Sequence, residues 1–207
     1  MATLNCPSCG AQIVLRSAAM PYSVCSYCQT VAMHQGDQVQ DLGKAATLPF
    51  DVSPIQLGTC GEADGVPFEV VGRVRWGWTD GSWNEWLLLG NDGEHRWLGE
   101  AMGMFQYLTE KPDAMQDSLL QRFASGEAIS PGDRATVGGV TFSASDIKEA
   151  HCLGGEGDLP FPTPADWTMT SVDFKGQAGE SLSVQRDAQG TSAYEGRYVE
   201  LVTLKLR

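Results

Sequence analysis

Four cysteines near the N-terminus have the spacing of a metal site. Cys6 and Cys9 form one C-x2-C pair, Cys25 and Cys28 form a second, and fifteen residues separate the two pairs. Two residues between cysteines let one turn direct both sulfurs at the same ion, and two such turns complete a closed tetrahedron. The pattern predicts that all four bind a structural Zn²⁺. We expect Gly10 to have the positive φ that is often needed beside such a turn.

Disulfide bonds are the alternative use of these cysteines, in a small secreted domain. The N-terminal sequence MATLNCPSCGAQ lacks the basic start and the apolar run of a signal peptide, which disfavours secretion. The chain has no apolar run approaching the roughly 18 residues of a membrane span, so none is expected. A thiolate zinc site also fits a reducing compartment, and we predict a cytoplasmic protein.

Other chemically active residues do not form a recognisable catalytic constellation. His151 and Cys152 are neighbours, but adjacent residues of a strand point to opposite faces and cannot act directly as base and nucleophile. Cys60 and Cys152 are expected to be small buried hydrophobes. Glu156 and Asp158 lie in a Gly/Pro-rich stretch that we expect to be a loop, where functional groups often occur. They define one alternative, an enzyme or accessory subunit with an acidic site near Glu156.

A tryptophan-rich hairpin is predicted to supply many of the side chains of the β core. Residues 70–89 contain two aromatic and aliphatic runs around Asp80-Gly81, and Gly accepts the positive φ that tight hairpin turns require. The segment holds four of the six tryptophans. In its first strand, a period of two places Val and Trp side chains on a buried face, and Arg73 and Arg75 on a wet face.

The same hairpin suggests two binding hypotheses. Exposed aromatic residues beside arginines could stack on the bases of a single-stranded nucleic acid. The net charge of −12 disfavours binding to phosphates, however, because it reflects 14 basic against 26 acidic side chains. An exposed tryptophan is equally suited to protein recognition, so we favour a protein partner over nucleic acid. The residues assigned to partner binding are Arg75, Trp76, Trp78 and Trp83.

The fold class predicted for the whole chain is mainly β. Three units are expected: a four-cysteine zinc ribbon at 1–34, a linker at 35–54, and a β-rich domain at 55–207. The β-rich domain is either barrel-like or two-lobed, with lobes at about 55–100 and 130–207. One inserted helix is expected at about 112–125, because apolar residues recur there at helical spacing.

Several short motifs of the β-rich domain follow one another in a fixed order. They are Leu57-Gly58, Gly65-x-x-Phe68-x-Val70-x-Gly72-x-Val74, Trp83-x-Glu85-Trp86-x-Leu88, Trp97-Leu98, Gly155-Glu156-x-x-Leu159-Pro160, and Tyr194-Glu195-Gly196-x-Tyr198. This order resembles the bacterial domain of unknown function 4178, a family that often carries such an N-terminal ribbon. The resemblance covers most of residues 55–207.

The resemblance implies no established activity. Members of the family tend to be encoded near polyamine-synthesis-like enzymes and membrane-stress proteins, which implies an accessory or adaptor role in such a system. Arg197 departs from the family pattern Tyr-x-Gly-Glu-Tyr, which has an acid at this position. If that acid is catalytic in the family, its absence speaks against the same activity here. We therefore predict a non-catalytic, zinc-binding adaptor whose β-domain binds a protein.

Overall fold

The computed structural model describes residues 2–35, 38–45, 48 and 52–207, and within these ranges the protein is mainly β, as predicted. The strands are β1 Ala2–Asn5, β2 Gln12–Leu15, β3 Tyr22–Val24, β4 Thr30–Gln35, β5 Gln38–Lys44, β6 Cys60–Ala63, β7 Val66–Trp78, β8 Gly81–Gly90, β9 His95–Ala101, β10 Met104–Glu110, β11 Arg134–Val137, β12 Val140–Leu159, β13 Thr168–Lys175, β14 Glu180–Arg186 and β15 Thr191–Val199. The helices are α1 Ser118–Ala124 and two short 3₁₀ helices, Pro112–Gln116 and Leu201–Leu204. No helix in the described ranges has the length and apolar character needed to cross a membrane.

In the described part of the chain, eight antiparallel strands pair in a closed ring. Their order around the ring is β7, β8, β9, β10, β15, β14, β13 and β12, and β12 returns to β7 through pairs such as Cys152↔Trp76. Closure pairs both edges of every strand in the ring. Strands from both expected lobes, 55–100 and 130–207, therefore build one barrel-like unit rather than two.

The outer surface of the ring is covered by two apolar cores. Helix α1 packs Leu120 and Phe123 against Val172 and Phe174 of β13. The residue before the helix, Asp117, caps it by accepting hydrogen bonds from two backbone N–H groups of its first turn. The inserted helix lies within the predicted range, but its first half is the 3₁₀ helix Pro112–Gln116.

The second outer core contradicts the wet face expected for β7. Val70, Trp86 and Leu204 pack together on the outside of the ring. Next to them the Arg73 guanidinium lies 4.7 Å from the centre of the Trp86 ring and donates hydrogen bonds to Asn84. Arg73 is only 9% exposed, because the outer surface of this strand is covered as well as its inner one.

The hairpin at 70–89 forms as predicted, but its turn differs from the expected one. Trp78 pairs with Gly81, so the turn consists of Thr79 and Asp80. Neither of these two residues nor Gly81 has a positive φ. Position 81 requires glycine for a different reason: a Cβ atom there would lie only 2.9 Å from the Trp78 ring. Gly138 and Gly139 do have positive φ, at 56° and 83°, in the predicted turn between β11 and β12.

The ribbon is joined to the ring by a continuous sheet. Strand β3 pairs with the end of β12, from Gly157↔Val24 to Leu159↔Tyr22, and β4 and β5 extend this sheet further. Strand β5 occupies residues 38–44, inside the stretch expected to be a linker. Residues 36–37, 46–47 and 49–51 of that stretch lie outside the described residues.

The Gly-rich segment around Glu156 is a strand and not the expected loop. Residues 154–159 form the last part of β12 and pair with both β7 and β3. Gly157 allows this crowding, since a Cβ there would lie 2.3 Å from the carbonyl oxygen of Val71. The glycines thus permit close approach of strand backbones.

Candidate functional site

The four N-terminal cysteines come together as one group that could hold a metal ion. All four Sγ atoms lie within 4.8 Å of one another. The Cys6–Cys28 and Cys9–Cys25 sulfur distances are 3.6 and 3.8 Å. A tetrahedral ion with metal–sulfur bonds of about 2.3 Å would hold its sulfurs about 3.8 Å apart. The spacing therefore fits a tetrahedral thiolate site, whereas a disulfide needs sulfurs about 2.05 Å apart.

Two matching turns build this cysteine group. The N–H of Gly10 donates to the Cys6 carbonyl, and the N–H of Gln29 donates to the Cys25 carbonyl, both at 2.9 Å. Gly10 and Gln29 occupy equivalent places, each directly after the second cysteine of its pair. Both have positive φ, 75° and 60° respectively. The expectation for Gly10 is confirmed, and Gln29 has the same backbone conformation with an L side chain.

Asp158 connects the ribbon to the ring. This carboxylate is 1% exposed, and it accepts hydrogen bonds from the backbone N–H of Arg16 at 2.5 Å and of Ser17 at 2.7 Å. The Ser23 hydroxyl donates to its other oxygen at 2.6 Å. Burial raises the pKa of Asp158, and the three hydrogen bonds oppose that rise. This acid has a structural role, because its oxygens are held by ribbon donors.

Glu156, the other acid of the proposed enzymatic site, points elsewhere. It forms an ion pair with Arg73 at 3.2 Å on the outer side of the ring. A hollow between ribbon and ring is lined in part by Glu156 and Asp158. The engagement of Asp158 by the ribbon removes it as a free acid, so the two residues do not form the paired carboxylates that acid–base hydrolysis requires.

A cavity of about 340 Å³ lies inside the ring. Side chains on the inward faces of the strands form its wall, and they combine aromatic with polar groups. The aromatic members are Trp78, Trp83, Trp97, Phe161, Tyr194 and Tyr198. The uncharged polar members include Gln106, Ser171, Ser183 and Gln185. Such a volume, with apolar walls and a few directed polar groups, is typical of sites for small molecules.

Glu85 is an acid of the cavity wall whose carboxyl group is held by three neighbouring side chains. Its carboxylate accepts hydrogen bonds from the indole N–H of Trp76 at 3.0 Å and of Trp83 at 3.1 Å. The Gln185 amide donates to it at 2.6 Å from across the ring. Burial raises the pKa of Glu85, the three donors act to lower it, and the charge of Asp173 raises it further.

Asp173 is a second inward-facing carboxylate, on β13. Burial raises its pKa, while a hydrogen bond from Ser183 opposes the rise. Burial also raises the pKa of the cavity residue Tyr194, and the charge of Glu85 adds to this effect. In the described part of the chain, neither Glu85 nor Asp173 forms an ion pair with a lysine or arginine. The charges of Lys148 and Lys175 also oppose the rise in the pKa of Asp173. Among the described residues that line the cavity, four acids face these two lysines: Glu85, Glu100, Asp146 and Asp173.

Two further polar groups on the inner faces lack hydrogen-bond partners among the described residues. The amide nitrogen of Gln106, which lines the cavity, is buried and unpaired. The hydroxyl of Ser181 is also unpaired, and this residue is 0% exposed. Ser181 shares the inward side of β14 with Ser183 and Gln185, since alternate residues of a strand point the same way. Unpaired buried polar groups of this kind are costly unless a bound molecule satisfies them.

The mouth of the cavity carries exposed apolar residues and two lysines. Met102 and Met104 are 84% and 51% exposed. Lys148 pairs with Asp146 at 2.8 Å and lies 5.1 Å from the Trp78 ring centre. Lys175 lies 5.8 Å from the Tyr198 ring centre, and that tyrosine is 38% exposed.

The residues assigned to partner binding do not form one surface. Trp76 is 1% exposed and packs edge-on against Trp167, so its ring offers no surface to a partner. Trp78 and Trp83 are partly buried and line the cavity. Arg75 donates to Ser82 on the neighbouring strand. Trp76 and Trp78 of β7 point into the ring, whereas Arg73 and Arg75 of the same strand point outwards.

The sequence analysis predicts Trp78 and Trp83 as partner-binding residues, but it does not predict the cavity or its polar lining. The signal of that lining is a period of two, visible in ESLSVQR and TSVDFK, where polar residues alternate with apolar ones. On an open sheet the polar side of such a strand faces water. Here the ring closes around the polar side, while α1 covers the apolar side. Of the two cysteines expected to be buried, Cys152 is buried, whereas Cys60 is only partly buried.

Comparison with known proteins adds one match. No curated protein and no solved structure shows significant similarity to the chain. The family described as Domain of unknown function (DUF4178) matches residues 56–201, which is more than half of the chain and includes every strand of the ring. The chain therefore belongs to the family Domain of unknown function (DUF4178), as its motifs indicated.

Proposed function

We propose that this protein binds a small molecule inside its ring of strands and that its ribbon holds a structural Zn²⁺. The observation that carries the proposal is the cavity of about 340 Å³ with inward-facing Glu85, Gln106 and Asp173. Buried acids and an unpaired amide destabilise an empty barrel interior, so a ligand that satisfies them would stabilise the protein.

Binding without catalysis is the role that this arrangement supports best. The Glu85 carboxylate is held by three N–H donors, and His151 and Cys152 lie on opposite faces of β12, with Cys152 buried. The non-catalytic role expected from the sequence therefore remains our proposal.

Zinc is the metal proposed for the ribbon. Four thiolates form a soft, tetrahedral donor set, which suits Zn²⁺ and leaves no open position for water or substrate. Such a site would hold the two turns together without taking part in a reaction. Because thiolate ligands persist in a reducing compartment, we also propose that the protein works in the cytoplasm.

Native mass spectrometry tests the ligand proposal. The full chain, purified under non-denaturing conditions with its metal, is expected to carry a small molecule that is lost on denaturation. Ala101→Trp would block the cavity near its mouth and should abolish this extra mass. Ala124→Trp, on the exposed side of α1, is the matched control and should retain it.

The outcomes of this experiment distinguish a ligand bound inside the ring from a cavity that binds nothing. Equal retention of the extra mass by both tryptophan variants would place the ligand outside the ring. Absence of any bound mass, together with no thermal stabilisation by a broad panel of metabolites, would contradict the proposal.

An adaptor role is the second candidate, and the exposed mouth favours it. Met102, Met104 and Tyr198 expose apolar surface around the opening of the cavity, where a protein partner could dock. Purification at near-physiological salt followed by mass spectrometry is expected to recover a stoichiometric protein. Met102→Glu should release it, whereas Val52→Glu, at another exposed apolar position, should not. Recovery of the same protein with Met102→Glu would rule out this surface.

Nucleic acid remains the less favoured partner. Arg73 and Arg75, the basic residues of the hairpin, are engaged with neighbouring side chains. An oligonucleotide titration at low salt tests this alternative, because binding through phosphates would weaken steeply as salt is added.

A further inference from the structure

We infer that the ligand of the ring cavity is a small organic cation, such as an alkylammonium or quaternary ammonium ion, bound between the Glu85 and Asp173 carboxylates and the surrounding aromatic rings. This inference rests on the proposed ligand-binding function and names its chemical class.

The charges inside the ring favour a cation. Glu85 and Asp173 face the same cavity and influence each other electrostatically. The other charged groups that line the cavity are Glu100, Asp146, Lys148 and Lys175. Of these, Asp146 and Lys148 already form an ion pair with each other. Lys148 and Lys175 lower the pKa of Asp173 by their charge, but four lining acids face only these two lysines. A ligand cation would therefore supply positive charge that the cavity lining lacks.

The aromatic walls favour a cation as well. Ammonium groups are attracted to the faces of Trp and Tyr rings within about 6 Å of the ring centre. The protein's own lysines already use two rings at the mouth in this way, Trp78 and Tyr198. In the described part of the chain, no lysine or arginine lies over the deeper rings of Trp97 and Tyr194. Trp97 stacks on Phe161 with the ring centres 5.8 Å apart, so a ligand cation could contact only the other face of Trp97, and the ring of Tyr194.

The unpaired groups of the cavity indicate that the ligand also carries a polar atom. The Gln106 amide lines the cavity with its buried nitrogen unpaired. Rotation of the terminal amide lets the residue present either a donor or an acceptor. A hydroxyl or second amine on the cation would pair with it, so compounds with an added polar group should bind more tightly than a simple alkylammonium ion.

Binding of a cation should release protons. Burial holds the pKa of both Glu85 and Asp173 above its usual range in the free protein, and a bound ammonium would favour their ionised forms. Affinity for the cation should therefore rise as the pH increases through the range in which these carboxyls ionise. The other titratable groups that face this region are Glu100, Asp146, Lys148, Lys175, Tyr194 and Tyr198. All of these groups are unchanged in the variants described below.

The direct test is a titration of the full, zinc-loaded chain with matched probes. The probes are n-butylammonium and tetramethylammonium as cations, 1-butanol as a neutral compound of similar size, and butanoate as an anion. Tryptophan fluorescence reports binding because Trp78, Trp83 and Trp97 line the cavity. We expect a saturable change with the cations, at least about tenfold tighter than with the other two probes.

Asp173→Asn keeps the size of the side chain and removes the charge. It should weaken cation binding about tenfold or more and leave any binding of 1-butanol unchanged. Asp113→Asn, at an exposed acid outside the ring, is the control. Circular dichroism and zinc content establish that both variants are folded. If Asp173→Asn does not fold, Trp97→Leu replaces it and should also weaken binding of the cations.

Several results would overturn the inference. Binding of 1-butanol or butanoate as tightly as the cations would remove the cationic class but leave the ligand-binding proposal intact. Unchanged cation affinity in folded Asp173→Asn, or affinity that does not respond to pH, would also remove it. If no probe binds at millimolar concentration and the native protein carries no small molecule, both the inference and the proposed function fail.

Discussion

The carboxylate of Glu85 and the amide of Gln185 meet at 2.6 Å across the inside of the ring. Glu85 lies on β8 and Gln185 on β14, and the two residues are one hundred positions apart in sequence. The two strands are not neighbours in the ring. The hydrogen bond links the two halves of the barrel through its interior. It also places an ionisable carboxyl group inside the ring, where an eight-stranded barrel is either filled by side chains or holds one small ligand.

The first prediction concerns the pH dependence of folding. Burial raises the pKa of Glu85 in the folded protein, so this state binds more protons than the unfolded chain at pH values above about 4.3, the usual glutamate pKa. Its contribution to the free energy of unfolding is then largest at low pH and is lost as the pH rises through the folded pKa. Glu85→Gln should make this decline shallower.

Urea unfolding at a series of pH values from about 4 to about 8 measures this effect. Asp158 and Asp173 also have raised pKa values, so part of the decline should persist in the variant. Glu127→Gln, at an exposed carboxylate, is the control and should leave the curve unchanged. An unchanged slope in Glu85→Gln would show that this carboxyl does not titrate abnormally.

The second prediction concerns the ribbon cysteines. Cys25→Ser removes one of four sulfurs and should reduce bound zinc from about one ion per chain to a small fraction, because a structural site needs all its ligands. Order in the ribbon should be lost with the metal. Elemental analysis and NMR of the ribbon amides measure the two effects.

Cys60→Ser is the matched control for this substitution. Cys60 lies on β6, away from the cluster, and should leave the zinc content unchanged. Full zinc stoichiometry and an ordered ribbon in Cys25→Ser would contradict the assignment of this cysteine as a ligand.

The third prediction concerns the junction between ribbon and ring. Asp158→Asn would turn one carboxylate oxygen into an N–H donor that faces ribbon donors. Since hydrogen bonds to charged groups contribute about 1.5–3 kcal/mol each, the variant should unfold at least about 2 kcal/mol more easily. Hydrogen exchange should increase first in β3, which is paired with this end of β12.

Glu156→Gln is the comparison for the junction, since the Glu156 side chain is 38% exposed and pairs with Arg73 on the outer side. Partly exposed ion pairs contribute up to about 1 kcal/mol, so its effect should be smaller. A larger loss of stability in Glu156→Gln than in Asp158→Asn would reverse the roles assigned to these two acids.

The fourth prediction separates two causes of glycine preference. Gly157 and Gly93 have similar positive φ values of 73° and 84°. A Cβ at position 157 would lie 2.3 Å from the Val71 carbonyl oxygen, whereas nothing lies within 4 Å of one at position 93. Gly93→Ala should cost about 1 kcal/mol from backbone strain, and Gly157→Ala about 3 kcal/mol or more. Thermal unfolding of the two variants checks this order, and equal costs would show that β12 can move away from β7.

The sequence by itself determined the features that depend on local geometry. The two C-x2-C pairs predicted the cysteine cluster, because each pair and its turn lie within five residues. The turns at Thr79-Asp80 and Gly138-Gly139 and the helix near Phe123 were also visible, since hairpins and short helices follow from neighbouring residues. The ordered motifs of the ring identified the family.

Only the tertiary structure decided which strand faces became the interior. A period of two divides a strand into two faces but does not state which one water reaches. Pairing of Cys152 with Trp76 closes the ring, and closure turns the polar sides of β13 and β14 inwards. The same pairing places Asp158 under the ribbon rather than in a loop. Glu85 and Asp173 are thus cavity residues because of contacts between strands far apart in sequence.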